Sequence, residues 1–173
     1  MGGDCLNTGC VPSKALIRSA RLAHEMRHAG RFGLEALEPR VEFRRVIARV
    51  QEVVRAIAPH DSVERYSALG VEVLEGHARI VDPWTVEVHS GDGRTRRLTT
   101  RAIVIAAGAE PYVPPLPGLD EVGYLTSDTL WDEFVKLDQI PKRLVVLGGG
   151  PIGCELAQSF ARLGSQVTQV EMG

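Results

Sequence analysis

The sequence predicts an α/β fold, and three observations carry that expectation. Arg143 to Glu171 reads as strand, glycine turn, helix and strand in succession. Apolar periodicity changes from helical in the residues up to Gly70 to alternating between Val71 and Thr99. Beyond that stretch, Ile103 to Ala107 form a nearly continuous apolar run, the pattern of a strand buried on both faces. A chain of 173 residues with net charge −2 and 44% hydrophobic residues has the composition of a soluble globular protein, large enough for one domain or parts of two. No apolar run is long enough to span a membrane, and arginines are interspersed with glutamates rather than gathered in a basic patch. These features argue against membrane and nucleic-acid partners. Three cysteines without an export signal suggest a cytoplasmic, reducing setting, where a cysteine pair is more often catalytic than structural.

The first stretch, Met1 to Lys14, carries two of those cysteines, Cys5 and Cys10. A regular helix separates residues five apart by about 7.5 Å of rise and turns them away from each other, so a bridge between them needs an irregular turn. Gly2, Gly3 and Gly9 permit one. Closing so short a loop removes little chain entropy, which makes the pair a poor staple and a better reversible redox couple. Lys14 and a helix start lie just downstream, and both favour the thiolate. Two readings compete with this one. The cysteines could be unbridged neighbours, or Cys5, Cys10, His24 and His28, spaced C-x4-C-x13-H-x3-H, could hold zinc. A zinc finger of that spacing needs an aromatic core residue between the second cysteine and the first histidine, and none is present. That absence favours redox chemistry.

Helices are expected from about Ser13 to Ala29, stopped by Gly30, and from Glu42 to Ala58, where Val46, Ile47, Val50, Val53, Val54 and Ile57 form one apolar stripe. Pro59 ends the second, and a short helix through Arg65 to Leu69 follows. Val71, Val73, Ala78, Ile80, Val86 and Val88 then alternate with polar residues, and Ser90-Gly91-Asp92-Gly93 is a hairpin signal, so a small antiparallel meander is expected. The apolar run ends in a turn, Gly108-Ala109-Glu110-Pro111, and a short helix is expected from Ser127 to Phe134.

Gly148-Gly149-Gly150-Pro151-Ile152-Gly153 fits G-x-G-x-x-G between a predicted strand and helix, with Glu171 at the end of the next strand. That arrangement is a dinucleotide-binding unit: glycines for the tight turn and close backbone approach, a helix N-terminus for the phosphates, an acid for the ribose. An acid at Glu171 would repel a 2′-phosphate and so favours NADH over NADPH. Cys154 reads as packing, and structural glycines in an unrelated α/β turn are the competing account.

With both motifs in place, the chain resembles the class I pyridine nucleotide-disulfide oxidoreductases, the flavoproteins that include dihydrolipoamide dehydrogenase, glutathione reductase and mercuric reductase. The residues that carry the resemblance are Gly2 to Lys14, Gly76-His77-Ala78, Ile105 to Pro111 and Gly148 to Glu155. It implies an FAD/NAD(P)-binding Rossmann-like fold with a small antiparallel β-meander, truncated at both ends. Residues 1–141 would be an FAD-binding domain lacking its ADP-binding βαβ unit, and residues 142–173 the start of the NAD(P)-binding domain. By the same resemblance Cys5 is the interchange thiol, Cys10 the thiol against the flavin, and Lys14 a lysine beside the flavin with Glu155 as its ion-pair partner. Gly2, Gly3, Asp4, Lys14, His77, Ala78, Ala107, Gly108 and Ala109 are implied FAD contacts. Gly148, Gly149, Gly150, Pro151, Ile152, Gly153, Cys154, Glu155 and Glu171 are implied NAD contacts. The implied electron path runs from NADH through the flavin and the Cys5–Cys10 pair to a small-molecule or protein disulfide, a dithiol run in reverse, or mercuric ion. Asp4, Thr8, Ala107 and Ser13 depart from common family residues, which leaves the substrate open. A homodimeric parent is implied, and the piece alone is expected to bind FAD weakly and to be inactive. A non-catalytic NAD-binding module is the alternative.

Overall fold

A computed structural model describes residues 1–171, so the last two positions of the 142–173 segment lie outside the described residues. The chain divides into two compact units, one of Gly2–Pro59 with Glu110–Gly173 and one of His60–Ala109 with Met1.

In the larger unit a short helix, α1 (Gly3–Asn7), is followed after Thr8 and Gly9 by α2 (Cys10–Arg27). The sequence predicts this second helix from Ser13, and the structure starts it three residues earlier. Pro12 explains the difference. As the third residue of the helix it has no N–H to donate, but at that position no intrahelical acceptor awaits one, and its fixed φ suits the first turn. Helix α3 (Phe43–Ile57) matches the expected stripe and buries Phe43, Ile47 and Val50. They pack with Ala15, Leu16, Ala20 and Ala23 of α2, whose small residues allow a close approach.

After α5 (Leu119–Val122), helix α6 (Leu130–Val135) starts three residues later than expected. The Thr129 hydroxyl accepts from the Thr126 backbone N–H at 3.0 Å, holding residues 126–129 in a turn before the helix. The C-terminal elements are β4 (Arg143–Leu147), α7 (Pro151–Leu163) and β5 (Gln166–Val170). The two strands pair in parallel with Leu144 opposite Val167 and Val146 opposite Gln169, closing the βαβ unit. Gly164 ends α7 in the left-handed conformation at φ 115°. The core is centred on three rings from three helices. Phe134 lies 5.2 Å from Phe160 and 5.9 Å from Phe43, both edge to face, and Phe43 and Phe160 are 6.3 Å apart. Each such side chain contributes roughly 1.5–3 kcal/mol by burial, and edge-on contacts add to it.

In the smaller unit α4 (Val63–Ala68) is capped by Ser62, whose hydroxyl accepts from the Arg65 N–H at 3.2 Å. The meander is β1 (His77–Asp82), β2 (Thr85–His89) and β3 (Thr95–Thr99), antiparallel in that order, with Ala78 opposite Val88 and Val86 opposite Leu98. The Ser90–Gly93 hairpin closes with Ser90 N–H to Arg94 carbonyl at 2.9 Å and Gly93 at φ 82°.

Two expected strands are not formed. Val71 and Val73 lie in a connection after α4, outside any ladder. The run from Ile103 to Ala107 has no regular structure, and Val104 and Ile105 are 87% and 76% exposed. Apolar content alone makes no strand, because a ladder needs a neighbour, and among the described residues no strand pairs with this one.

Candidate functional site

Cys5 lies in α1 and Cys10 is the first residue of α2, so the break between the two helices is the turn between the thiols. Two backbone N–H groups, of Thr8 and Gly9, donate to the Asp4 carbonyl at 2.9 and 2.5 Å. A Cβ on Gly9 would sit 2.9 Å from that carbonyl oxygen and 3.5 Å from the Cys5 Cα, so glycine lets the end of α1 fold onto the start of α2. On the other side Gly2, at φ 90°, leaves room for Leu6, the one residue that buries α1. Both cysteines are exposed. The Ser13 hydroxyl donates to the Cys10 carbonyl at 3.2 Å.

One turn after Cys10 on the same helix, Lys14 donates to both oxygens of Glu155 in α7, at 2.5 and 2.6 Å. The pair is largely open to solvent, Lys14 at 58% and Glu155 at 36% exposure. At the far ends of the same two helices Arg27 donates to the Arg162 carbonyl at 2.5 Å, placing a cation where the carbonyls of α7 run out. The helix that begins with Cys10 and the helix that begins at the glycine turn are therefore joined at both ends.

The three motif glycines do different work. Gly148 takes φ 110°, and its N–H donates to the Val170 carbonyl at 2.8 Å, which makes the turn. Gly150, the residue before α7, is extended at φ −67° and ψ 175°, and a Cβ there would meet no atom within 4 Å. That leaves open space at the N-terminus of a 13-residue helix, the kind of place that favours an anion. A Cβ on Gly153 would collide with the Gly148 carbonyl oxygen, so this glycine lets α7 pack against the turn. The Glu171 carboxylate accepts from the Gly149 N–H, and a Cβ on Gly149 would lie 2.7 Å from it. Gln169 donates to the Gly148 carbonyl at 2.9 Å, and the Cys154 thiol donates to the Gly149 carbonyl at 3.2 Å. Gly148, Gly150, Pro151, Ile152 and Gly153 line a cavity of about 790 Å³. Its volume is in the range of small-molecule sites.

Among the other implied contacts, Gly2, Gly3 and Asp4 lie beside Cys5, whereas His77 and Ala78 open β1 and Ala107, Gly108 and Ala109 follow the meander in the smaller unit. Gly108 has φ 75°. The zinc arrangement is corrected by distance. Cys10 and His24 share α2 fourteen residues apart, about 21 Å at helical rise. Among the described residues no three metal-binding side chains converge. His24 and His28 instead stack on each other with centroids 4.1 Å apart. Partial burial, then His28 and the charges of Arg162, Arg31 and Arg27, hold His24 below its ordinary pKa, surroundings that disfavour a cation.

Trp131 escaped sequence reasoning. Its indole N–H donates to the Thr8 carbonyl at 2.8 Å, within the turn between the cysteines. No local sequence signal pairs position 131 with Thr8.

The model of the pyridine nucleotide-disulphide oxidoreductase family matches residues 1–173. A mercuric reductase of Streptomyces lividans is 40% identical over 96% of this chain and 35% of its own length. A dihydrolipoamide dehydrogenase of Chaetomium thermophilum is 37% identical over 99% of this chain and 33% of its own. Of solved structures, LpdA from Mycobacterium tuberculosis superposes with a TM-score of 0.76 at 29% identity, over 99% of this chain and 37% of that one. The copper complex of a cysteine-to-serine mutant of the flavoprotein disulfide reductase RclA from Escherichia coli gives 0.74 at 30%, over 98% and 34%. The chain thus spans about a third of the length of these relatives. With a family model matched along its whole length and its fold shared with solved flavoprotein reductases, this chain belongs to the pyridine nucleotide-disulphide oxidoreductase family.

Proposed function

We propose that this chain forms the redox and nucleotide-docking part of an FAD-dependent NAD(P)H disulfide oxidoreductase, with Cys5 and Cys10 as its dithiol–disulfide couple. The observation that carries the reading is the Lys14–Glu155 pair, in which a side chain one turn after Cys10 meets one from the helix that starts at the glycine turn. Cys5 is the thiol that meets substrate and Cys10 the one that faces the flavin. Lys14 lies one helical turn from Cys10 and is oriented by Glu155. Bound FAD would supply two-electron carriage between a nicotinamide and this dithiol.

The protein's own groups fit such cofactors. Gly150 leaves room for a pyrophosphate at the N-terminus of α7, the end of a helix that favours an anion. Glu171 stands at the end of β5, where it would accept from a ribose 2′-hydroxyl and repel a 2′-phosphate, so NADH is preferred to NADPH. Residues 1–141 belong to FAD binding and 142–173 to NAD(P) binding. Gly2, Gly3, Asp4, His77, Ala78 and Ala107 to Ala109 supply flavin contacts. The substrate is a small-molecule or protein disulfide, a dithiol, or mercuric ion, as the names of the relatives suggest, and the parent is a cytoplasmic homodimer.

The test is thiol counting across a glutathione redox series in a Cys154→Ser background, since that third cysteine is also exposed, with the Cys5–Cys10 pair intact and with Cys5→Ser or Cys10→Ser. The intact pair should lose its two reactive thiols together under oxidising conditions. Each serine variant should instead trap one glutathione. With FAD bound, two-electron reduction should add a long-wavelength absorption band that is lost in Cys10→Ser. Independent, uncoupled oxidation of the two cysteines refutes the couple.

A further inference from the structure

We infer that Trp131 is a positioning residue for the Cys5–Cys10 turn, fixing its shape through one hydrogen bond to the carbonyl between the two thiols. The inference rests on reading that pair as a redox couple.

The need for the bond begins at the break between the helices. Thr8 ends α1 and precedes Gly9, whose carbonyl accepts the first bond of α2, from Ser13 N–H at 3.1 Å. Helix geometry therefore supplies the Thr8 carbonyl with no donor from either helix. The indole N–H of Trp131 takes that place at 2.8 Å.

Trp131 itself cannot move easily. It is 8% exposed and belongs to the cluster that contains Phe43, Phe134 and Phe160. Tryptophan offers a single donor and no acceptor, so its polar handle has one use here. The turn is thereby tied to the core on one side by Trp131 and closed on itself by Thr8 and Gly9 donating to Asp4. The bond is present with both cysteines as free thiols. In the inferred role the turn keeps this shape when the sulfurs join, so that less freedom is lost and the bond favours the disulfide.

The test uses this chain with phenylalanine, and separately 3-benzothienylalanine, at position 131. The second variant keeps the size and flatness of the indole and removes only its N–H. Each is equilibrated with reduced and oxidised glutathione. The two thiols yield two electrons and two protons to one glutathione disulfide, which leaves as two glutathiones while the Cys5–Cys10 bond forms. Loss of one hydrogen bond should lower the equilibrium constant for disulfide formation by about three- to tenfold in the benzothienyl variant. Tenfold corresponds to a rise of about 30 mV in the potential of this two-electron couple. Phenylalanine should shift it in the same direction. An unchanged constant in the benzothienyl variant, with wild type forming the disulfide normally, overturns the positioning role and leaves the redox reading intact. A wild-type chain that forms no Cys5–Cys10 bond overturns the redox reading itself, and the positioning role with it.

Discussion

Alanine at Gly150 and alanine at Gly153 should have opposite profiles although only three residues separate them. At Gly153 the added Cβ runs into the Gly148 carbonyl oxygen and lies 3.1 Å from its carbon, both backbone atoms of a turn that cannot rotate away. That turn is also held by Gly148 N–H to Val170 at 2.8 Å and by Gln169 at 2.9 Å. Helix α7 must lift from the turn, a form of overpacking that costs about 1–3 kcal/mol. At Gly150 the Cβ meets nothing within 4 Å and the backbone is already in an extended conformation open to alanine. The entropy that alanine removes from the unfolded chain, about 0.4–1 kcal/mol, is offset by its poorer performance than glycine just before a helix, so net stability moves by about 0.5 kcal/mol or less. Urea unfolding of the larger unit can be followed by Trp131 fluorescence in a Trp84→Phe background, since these are the two tryptophans of the chain. Titration with NADH completes the comparison. Gly153→Ala should lower both stability and affinity, while Gly150→Ala should lower affinity alone, because its methyl occupies the room left for a pyrophosphate. If the two variants unfold at the same urea concentration, the division of labour among these glycines is wrong.

Three further outcomes are expected. Glu155→Gln should change stability by less than about 1 kcal/mol, because exposed ion pairs contribute little, while altering the long-wavelength band of the flavin-loaded protein; an unaltered band refutes the assigned role of Lys14. Glu171→Gln should narrow the preference for NADH over NADPH by about tenfold or more, since two like charges about 4 Å apart near a surface repel by about 4 kcal/mol; equal binding ratios in the two proteins would remove Glu171 from ribose selection. In the meander, hydrogen bonds from Arg97 and Arg79 hold the Glu87 carboxyl below its ordinary pKa. A carboxylate so lowered stabilises the fold above its unfolded pKa and ceases to as pH falls through the folded one. Glu87→Gln should therefore destabilise the smaller unit at neutral pH and lose that effect in acid, as thermal melts across pH will read.

The parts legible in the sequence were those set by local rules. The βαβ unit could be read because its strand periods, glycines and terminal acid all lie within one stretch, and α3 because its apolar stripe has a single period. The start of α2 lies three residues before the expected one, because proline is compatible with the first turn of a helix and Pro12 falls there. The run from Ile103 to Ala107 looked like a strand because strand patterning reports a wish to be buried, not the presence of a partner. Trp131 was invisible for a related reason. Nothing near position 131 refers to Thr8, and only the packing of α6 brings a lone donor to a carbonyl that the break between two helices leaves without one.

Lys14 and Glu155 show how the site depends on parts that are themselves unremarkable in sequence. The pair is too exposed to hold two helices together, so its geometry must be inherited from elsewhere. The source is the apolar packing beneath it, where Ala15, Leu16, Ala20 and Ala23 of α2 share one cluster with Phe160 and Leu163 of α7. Arg27 adds a second tie at the far ends of the helices. Shrinking Phe160 to alanine, a change that costs about 3–5 kcal/mol in a packed core, would loosen that cluster without touching either charge. The ion pair then follows the core: its loss in such a variant is a consequence of helix displacement, and no strengthening of the charges alone would restore it.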